Sequence, residues 1–394
     1  MEMNDILILS DDKTTVLSVK DKDVKSVVIP DGITEIGKNA FRECSSLESI
    51  DIPNSVTKIG ESAFWDCSSL KNIDIPDSVT EIGDDAFSGC SSLKSIDVPN
   101  SVTKIGTRTF AFCSSLKSID IPNSVTEIDK NAFFLCSSMT KINVAENNSN
   151  YKSIDGVLFN NELTSIICFP TKHNNTTYTI PNSVTKIGEG AFYDCSSLES
   201  IDIPNGVTEI GEYAFGGCSS LKSIDIPNSV TEIGSDAFGG CSSLKSIDIP
   251  NNVTEIGDYI FRMCESLESI VIPNSVTKIG EGGFTICSSL ESIDIPNGVT
   301  EIGDYTFDHC LSLKSIDFPD SVTKIGRGAL GGCESLESIS IRCKDIDNIK
   351  VEDNSFDDDI FDDCILHIPS GTRWAYRHHP IFGKFKNIVT ERFD

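Results

Sequence analysis

Cys67-Ser-Ser-Leu70-Lys-Asn-Ile73-Asp-Ile75-Pro76-Asp-Ser-Val79-Thr-Glu-Ile82-Gly83-Asp-Asp-Ala86-Phe87-Ser-Gly89 runs for 23 residues, and Cys90 begins the same pattern again. A fixed period of this length marks a repeat array, whose units bury their apolar residues only against their neighbours. Ile73 and Ile75 are two apart and share one face of a strand, with Asn72 and Asp74 on the other. Pro76 ends the pairing because it has no N–H to donate. Val79 and Ile82 supply inward residues on the return side, and Gly83 permits a corner. Ala86-Phe87 turns inward again, and Cys90 closes the circuit. No segment is long enough for a stable helix, and Val, Ile and Thr favour extended structure. Stacked coils then set parallel strands about 4.8 Å apart, and roughly fifteen coils make a rod or arc about 70 Å long.

Outward from this stretch, the apolar triplet recurs at Leu47/Ile50/Ile52, Leu93/Ile96/Val98, Leu116/Ile119/Ile121 and Met139/Ile142/Val144. It starts with Val24-Lys-Ser-Val27-Val-Ile29-Pro30. Before that, Ile6 to Val19 reads as a short hairpin, as expected of a unit that caps an open core. The rhythm breaks between Asn143 and Pro181, where two polar runs read as protruding loops, and resumes from Leu198 to Leu336. After Cys343 come an acidic patch, Asp357-Asp-Asp359 with Asp362-Asp363, and a strand Cys364-Ile-Leu-His-Ile368. An aromatic and basic tail follows. The expected organisation is an N-terminal hairpin cap (1–23), a first repeat block (24–142) and an irregular repeat or insertion (143–181). A second block (182–342) and a C-terminal cap (343–394) complete it.

Net charge is −28, from 60 acidic and 32 basic residues. That opposes nucleic acid, which is bound mainly through Lys and Arg on phosphates, and it opposes anionic membrane surfaces. No apolar run approaches the ~18 residues of a spanning helix. The start, Met1-Glu-Met-Asn-Asp5-Ile-Leu-Ile-Leu9, lacks the basic and long apolar regions of a signal peptide. Either the protein stays inside the cell or a processed form carries a new Met.

Leu-x-x-Ile-x-Ile-Pro, Val-Thr-x-Ile-Gly, Ala-Phe and Cys-Ser-Ser-Leu together resemble the BspA-like (Treponema-type) leucine-rich repeat family, over about residues 24 to 342. Tyr151-Lys-Ser-Ile-Asp-Gly-Val-Leu-Phe159 and the ending from Leu366 to Val389 also look like that family's insertion and C-terminal cap. The resemblance implies a β-rich leucine-rich-repeat solenoid of the α/β type, used for protein binding. Family members are often cell-surface adhesins that bind host matrix proteins or other microbes. It implies no catalytic residue and no cofactor.

Cys44, Cys67, Cys90, Cys113 and Cys136, then Cys195, Cys218, Cys241, Cys264, Cys287, Cys310 and Cys333, sit on the period. Equivalent side chains point the same way rather than at each other, so buried small hydrophobes at a corner are expected instead of disulfides. A linear ladder also lacks the convergent ligands a metal needs. Cys168, Cys343 and Cys364 lie off the ladder.

The outward strand position holds Asp51, Asp74, Asp97 and Asp120, then Asp202, Asp225, Asp248, Asp294 and Asp317. Carboxylates about 5 Å apart repel one another, giving an acidic stripe on the concave, strand-lined face that leucine-rich-repeat proteins usually present to partners. Three readings follow: solvation with hydrogen bonds from neighbouring serines (Ser49, Ser95, Ser118), a basic protein partner, or a chain of weak Ca²⁺ sites. The stripe is interrupted at Val28, Asn143, Ile167, Thr179 and Val271, and residues 143–181, which hold Ile167 and Thr179, are read either as an insertion that merely bridges two arrays or as the place of a specific contact. The residue after Thr alternates Glu35, Lys58, Glu81, Lys104, Glu127, so each coil should meet an opposite charge on the next. Glu209, Glu232 and Glu255 break that alternation. Trp65, Phe112, Phe134 and Tyr193, just before Cys, are either partner anchors or corner fillers.

Scattered histidines (His173, His309, His367, His378, His379) and repeat-bound serines supply no nucleophile with a base beside it. Cys364-x-x-His367 with His378-His379 is the one zinc-like combination. The reading is therefore a non-enzymatic protein-binding solenoid, extracellular or at the cell surface, that takes a protein ligand without membrane insertion. The alternative is a cytoplasmic scaffold; a third, an enzyme with its site in the cap, would need metal at Cys364 and His367.

Overall fold

The computed structural model describes residues 6–129, 131–352 and 354–393. The chain divides into two compact units, residues 1–174 with 188–195, and residues 175–187 with 196–394. Both are parallel β-solenoids whose coil repeats every 23 residues, Ser49, for example, pairing with Ser26.

A coil has three sides. The first carries the Ser-Ile-Asp strands, Ser26–Val28 and Ser49–Asp51 in the first unit, in parallel register, Ile on Val and Asp on Val. The second carries the short Glu-Ile and Lys-Ile strands, where Glu35 pairs with Lys58 and Lys58 with Glu81. The third side is a run of tight turns. There Asn39, Phe41 and Glu43 donate their N–H groups to the carbonyls of Glu61, Ala63 and Trp65 in the next coil, at 3.0, 2.7 and 2.7 Å. The second unit repeats this, Phe261 donating to Gly283 and Met263 to Thr285. All these donors point the same way along the stack, so their peptide dipoles add as in a helix. At the end of the second unit the column finishes on Asn354 O, Ser355 O and the Asp357 carboxylate, 2.7 Å from Gly332 N. The acidic patch at 357 thus places a negative charge on the positive end of the aligned dipoles.

The turn side bends twice per coil through the left-handed region, two residues before and two after the core Phe, as at Asn39 (φ 60°) and Glu43 (φ 61°) around Phe41. Glycine serves some of these positions, Gly89, Gly217 and Gly240 among them, but Phe112, Met263 and Ile286 also occupy them. Gly83 has a different reason: a Cβ there would lie 2.5 Å from Glu61 N, so glycine lets two coils approach at the corner.

The core is built from identical columns. Most of the Val, Ile, Ala, Phe, Cys and Leu on the period are buried, many of them completely, and each large apolar side chain contributes about 1.5–3 kcal/mol. Phe41, Phe64, Phe87, Phe110 and Phe133 stack nearly parallel at 5.2–6.1 Å between ring centroids. Phe215, Phe238, Phe261, Phe284 and Phe307 do the same in the second unit at 5.5–5.8 Å.

The first unit begins with an antiparallel hairpin, Leu7–Leu9 against Thr15–Val19, whose Thr15 and Val16 pair with Glu35 and Ile36. The hairpin covers the edge of the charged side. The second unit ends with strands Ile365–Pro369 and Asn387–Glu391 added to the Ser-Ile-Asp side, and with helices α1 (Asp358–Asp363) and α2 (Arg373–His378). Buried Tyr376 ties α2 down through its hydroxyl to Cys343 O at 2.7 Å.

Two expectations need correction. A strand does not form in every coil: residues 70–76 hold none, and Asp97 makes only a single bridge to Asp120. Ile167 is not on the Ser-Ile-Asp side. Gly188 N donates to Ile166 O at 2.9 Å just as Gly60 N donates to Ile36 O, which places strand Ser165–Cys168 on the charged side. The loop after Asn143 instead leads to a hairpin, Tyr151–Ile154 against Val157–Asn160, turning on Asp155-Gly156 with both φ positive.

Candidate functional site: the acidic strand face

Strand alternation turns Ile50, Ile73, Ile201 and Ile247 into the core and leaves the residue after each on the surface. Asp51, Asp74, Asp97 and Asp120 are exposed in the first unit. Asp202, Asp225, Asp248 and Asp294 are exposed in the second, and Asp317 is half-buried. The structure therefore brings the predicted carboxylates into one column within each unit.

Two of the residues that end or interrupt the column, Asn143 and Thr179, donate to it, while Val28 and Val271 have no side-chain donor. Asn143 Nδ2 lies 2.6 Å from Asp120 Oδ1, and Thr179 Oγ1 lies 2.9 Å from Asp202 Oδ2. Arg342 grips Asp317 with Nε, 2.9 and 3.0 Å from its two oxygens, and with Nη2, while its guanidinium lies 5.6 Å from the Phe393 ring. Sequence reasoning missed Arg342, which sits two residues beyond the outward position and reaches back one coil. Ser49 Oγ donates to Ser26 Oγ at 3.1 Å, along the column of serines rather than across to a carboxylate.

Grooves follow the column. One of about 370 Å³ in the first unit is lined by Asp97, Asn100, Asp120 and Asn143. One of about 270 Å³ in the second is lined by Asn274, Asp294, Asn297, Asp317 and Arg342. A wider one, about 640 Å³, continues past Arg342 to Lys344, Arg392 and Phe393. Asn100, Asn274 and Asn297 come from the Pro-Asn step three residues after the outward position, a step that reads Pro-Asp after Asp74 and Asp317, while Asn143 holds the outward position itself. The two narrower grooves thus offer carboxylate acceptors beside amides, a surface suited to cationic and hydrogen-bonding groups on an extended chain, while the widest also carries the cations Arg342, Lys344 and Arg392.

On the charged side, Lys58 lies 3.9 Å from Glu35 and 3.1 Å from Glu81. Lys104 bonds Glu127 and Asp129 at 2.9 and 2.8 Å. The strands of Glu81 and Lys104 are not paired, nor are those of Glu232 and Glu255. On the turn side, Phe134 contacts Phe112 edge-on at 5.8 Å and Tyr193 at 4.4 Å, and Arg42 lies over Trp65.

The alternative chemistries find no assembled site. His367 faces Glu391 at 3.4 Å, His378 Nδ1 bonds Trp374 O, and His379 Nδ1 accepts the N–H groups of Ile381 and Phe382. Among the described residues no group of three or more His, Cys, Asp or Glu is placed to hold a metal ion. No helix of the described residues is long and apolar enough to cross a membrane.

The BspA type leucine rich repeat region, in a six-copy form, matches residues 19–140, 57–170, 165–291 and 254–367. A leucine-rich repeat protein from Eubacterium ventriosum superimposes with TM-score 0.74 at 29% identity, over 81% of this chain and 88% of its own. One from Bacteroides ovatus gives 0.60 at 29% over 98% of both chains. A leucine rich cell surface protein from Faecalibacterium prausnitzii gives 0.50 at 27%, over 84% of this chain and 92% of its own. No curated protein matches the chain.

Proposed function

The chain belongs to the BspA-type leucine-rich repeat family, and on that premise we propose that it is a non-enzymatic, protein-binding solenoid of the cell surface, holding basic protein segments on its acidic strand face. The reading rests on one observation above all: a column of exposed aspartates that lines grooves together with asparagines. Such a surface steers cationic partners and fixes their register. The similar Faecalibacterium protein, described as a cell surface protein, supports the location. Matrix proteins of a host and surface proteins of neighbouring microbes are the partners to screen.

Replacing Asp202, Asp225 and Asp248 together by Asn should weaken a captured basic partner about tenfold and flatten its salt dependence. Unchanged affinity removes the strand face as the site. Protease treatment of intact source cells followed by immunoblot tests the location, where loss of the band is expected. A second reading, an intracellular scaffold, is favoured by the fifteen cysteines, an odd and abundant set that does not make a full disulfide framework. Protection of the band until lysis selects it.

A further inference from the structure

Backbone pairing along the acidic column follows charge. Where Asp faces an uncharged residue, the strands are joined through that position: Val28 with Asp51, Asp120 with Asn143, Thr179 with Asp202, Asp248 with Val271 and Asp317 with Ser340. At four of the six steps where Asp follows Asp in the next coil, the pairing at that position lapses. Among the described residues, neither Asp51 with Asp74 nor Asp74 with Asp97 is paired. The ladder from Ser200 stops at Ile201–Ile224, just short of Asp202 and Asp225, and it is absent between Asp225 and Asp248. Asp97 and Asp120 keep a single bridge, with Asn143 donating to Asp120. One lapse, between Val271 and Asp294, has no like-charged pair behind it.

The informative case is Asp294 with Asp317. Two carboxylates stand side by side there, yet Ser292, Ile293 and Asp294 pair fully with Ser315, Ile316 and Asp317. This is the pair in which Arg342 neutralises one member, donating to both oxygens of Asp317. Along this column, aligned like charges push neighbouring strands apart and an opposite charge removes the push; the two-residue strands of the charged side do not sort this way, since Glu209 pairs with Glu232 and Lys324 with Lys350.

We infer that the acidic strand face is charge-gated: adjacent aspartates hold its strands locally open, and counter-charge on the column knits them into a continuous sheet. Arg342 is the built-in instance. The occupant that would close the remaining gaps carries guanidinium groups at about the coil spacing of 4.8 Å, in the manner of Arg342. Closing one gap fixes the strands bordering the next, so binding along the column is cooperative. The identity of the occupant rests on the function proposed above; the closure itself does not.

Hydrogen exchange of the full chain, read by mass spectrometry, tests both parts. Asp74→Asn relieves two like-charged pairs at once, with Asp51 and with Asp97, and should slow exchange at residues 70–76 about tenfold. Arg342→Gln should speed exchange across residues 292–318 by a comparable factor. Unchanged exchange in Asp74→Asn overturns the gating, as does Arg342→Gln with 292–318 still protected. Hexa-arginine on the wild-type chain should slow exchange at 70–76. Binding of that peptide without slowing also overturns the gating. Failure to bind sinks the occupant and the basic-partner reading, while Asp74→Asn still decides the closure.

Discussion

The thiol of Cys90 donates to the carbonyl oxygen of Phe64, one coil back, at 3.3 Å, and the same oxygen accepts the N–H of Cys67 at 3.2 Å. The pattern recurs from Cys67 to Phe41 and from Cys113 to Phe87 in the first unit. It continues from Cys241 to Phe215 and from Cys310 to Phe284 in the second. The cysteine is therefore more than a small apolar filler. It fits an apolar corner and still supplies a weak donor to a buried carbonyl of the neighbouring coil. Cys90→Ala removes the donor and leaves a small void, and should lower stability by about 1–2 kcal/mol in urea unfolding.

Burial pushes these thiols up, Cys44 to about 11 and Cys113 and Cys264 to about 12, from 9.0. A raised acid pKa means that the unfolded chain loses its protons first. The stabilisation is complete below pH 9 and drains away between pH 9 and about 12, as the unfolded chain's thiols ionise while the folded ones keep their protons. Urea midpoints at pH 8, 9.5 and 10.5 should fall steeply, and alkylation of the native chain at pH 8 should be far slower than in urea. Rapid native alkylation at ladder positions would show that the corners open.

Ile286 is β-branched yet held at φ 61°, where Gly240 and Gly332 serve in other coils of its unit. A left-handed Cβ costs roughly 1–2 kcal/mol, partly offset by the freedom glycine adds to the unfolded chain. Ile286→Gly should raise the denaturant midpoint by an amount equivalent to about 0.5–1 kcal/mol. A lower midpoint would mean that its side-chain packing outweighs the strain.

Tyr259 lies over Gly282 in the following coil, where a Cβ would meet ring atoms at 2.4 and 2.5 Å and φ is +56°. Gly282→Ala should cost about 1–3 kcal/mol. Adding Tyr259→Ser should recover the part due to the ring clash, a non-additivity that a double-mutant cycle measures. Strict additivity would assign the whole cost to the backbone.

Asp357 does not cap its own helix α1; its carboxylate accepts Gly332 N–H at the end of the turn column. Asp357→Ala should lower stability by about 1 kcal/mol and loosen residues 328–332 first in hydrogen exchange. Equal loosening across the second unit would argue against a local cap.

The period carried most of the fold. It announced which of Leu, Ile, Val, Phe and Cys face inward, because a 23-residue coil leaves each position only one side. Where the repeat lapses, local chemistry had to substitute. The Asp155-Gly156 turn signalled a hairpin, and overlooking it put Ile167 on the wrong side. The left-handed positions were hidden by their variety, since Asn39, Tyr213 and Gly282 satisfy the same backbone. The aspartate column was legible from alternation alone. Its effect on pairing was not, because that depends on which carboxylates a reaching side chain such as Arg342 neutralises.

The one-way hydrogen bonding of the turn column gives each unit a rule for changing length. A whole coil inserted inside either unit takes N–H groups from the coil before it and offers its own to the coil after it, so every donor finds a partner. Nothing new has to be invented for it. A coil appended beyond Gly332 would instead separate that last row of donors from Asp357 and need a terminator of its own. Duplication is therefore cheap in the interior and costly at the end, and such a protein can vary its span in steps of one coil while keeping the same closing segment.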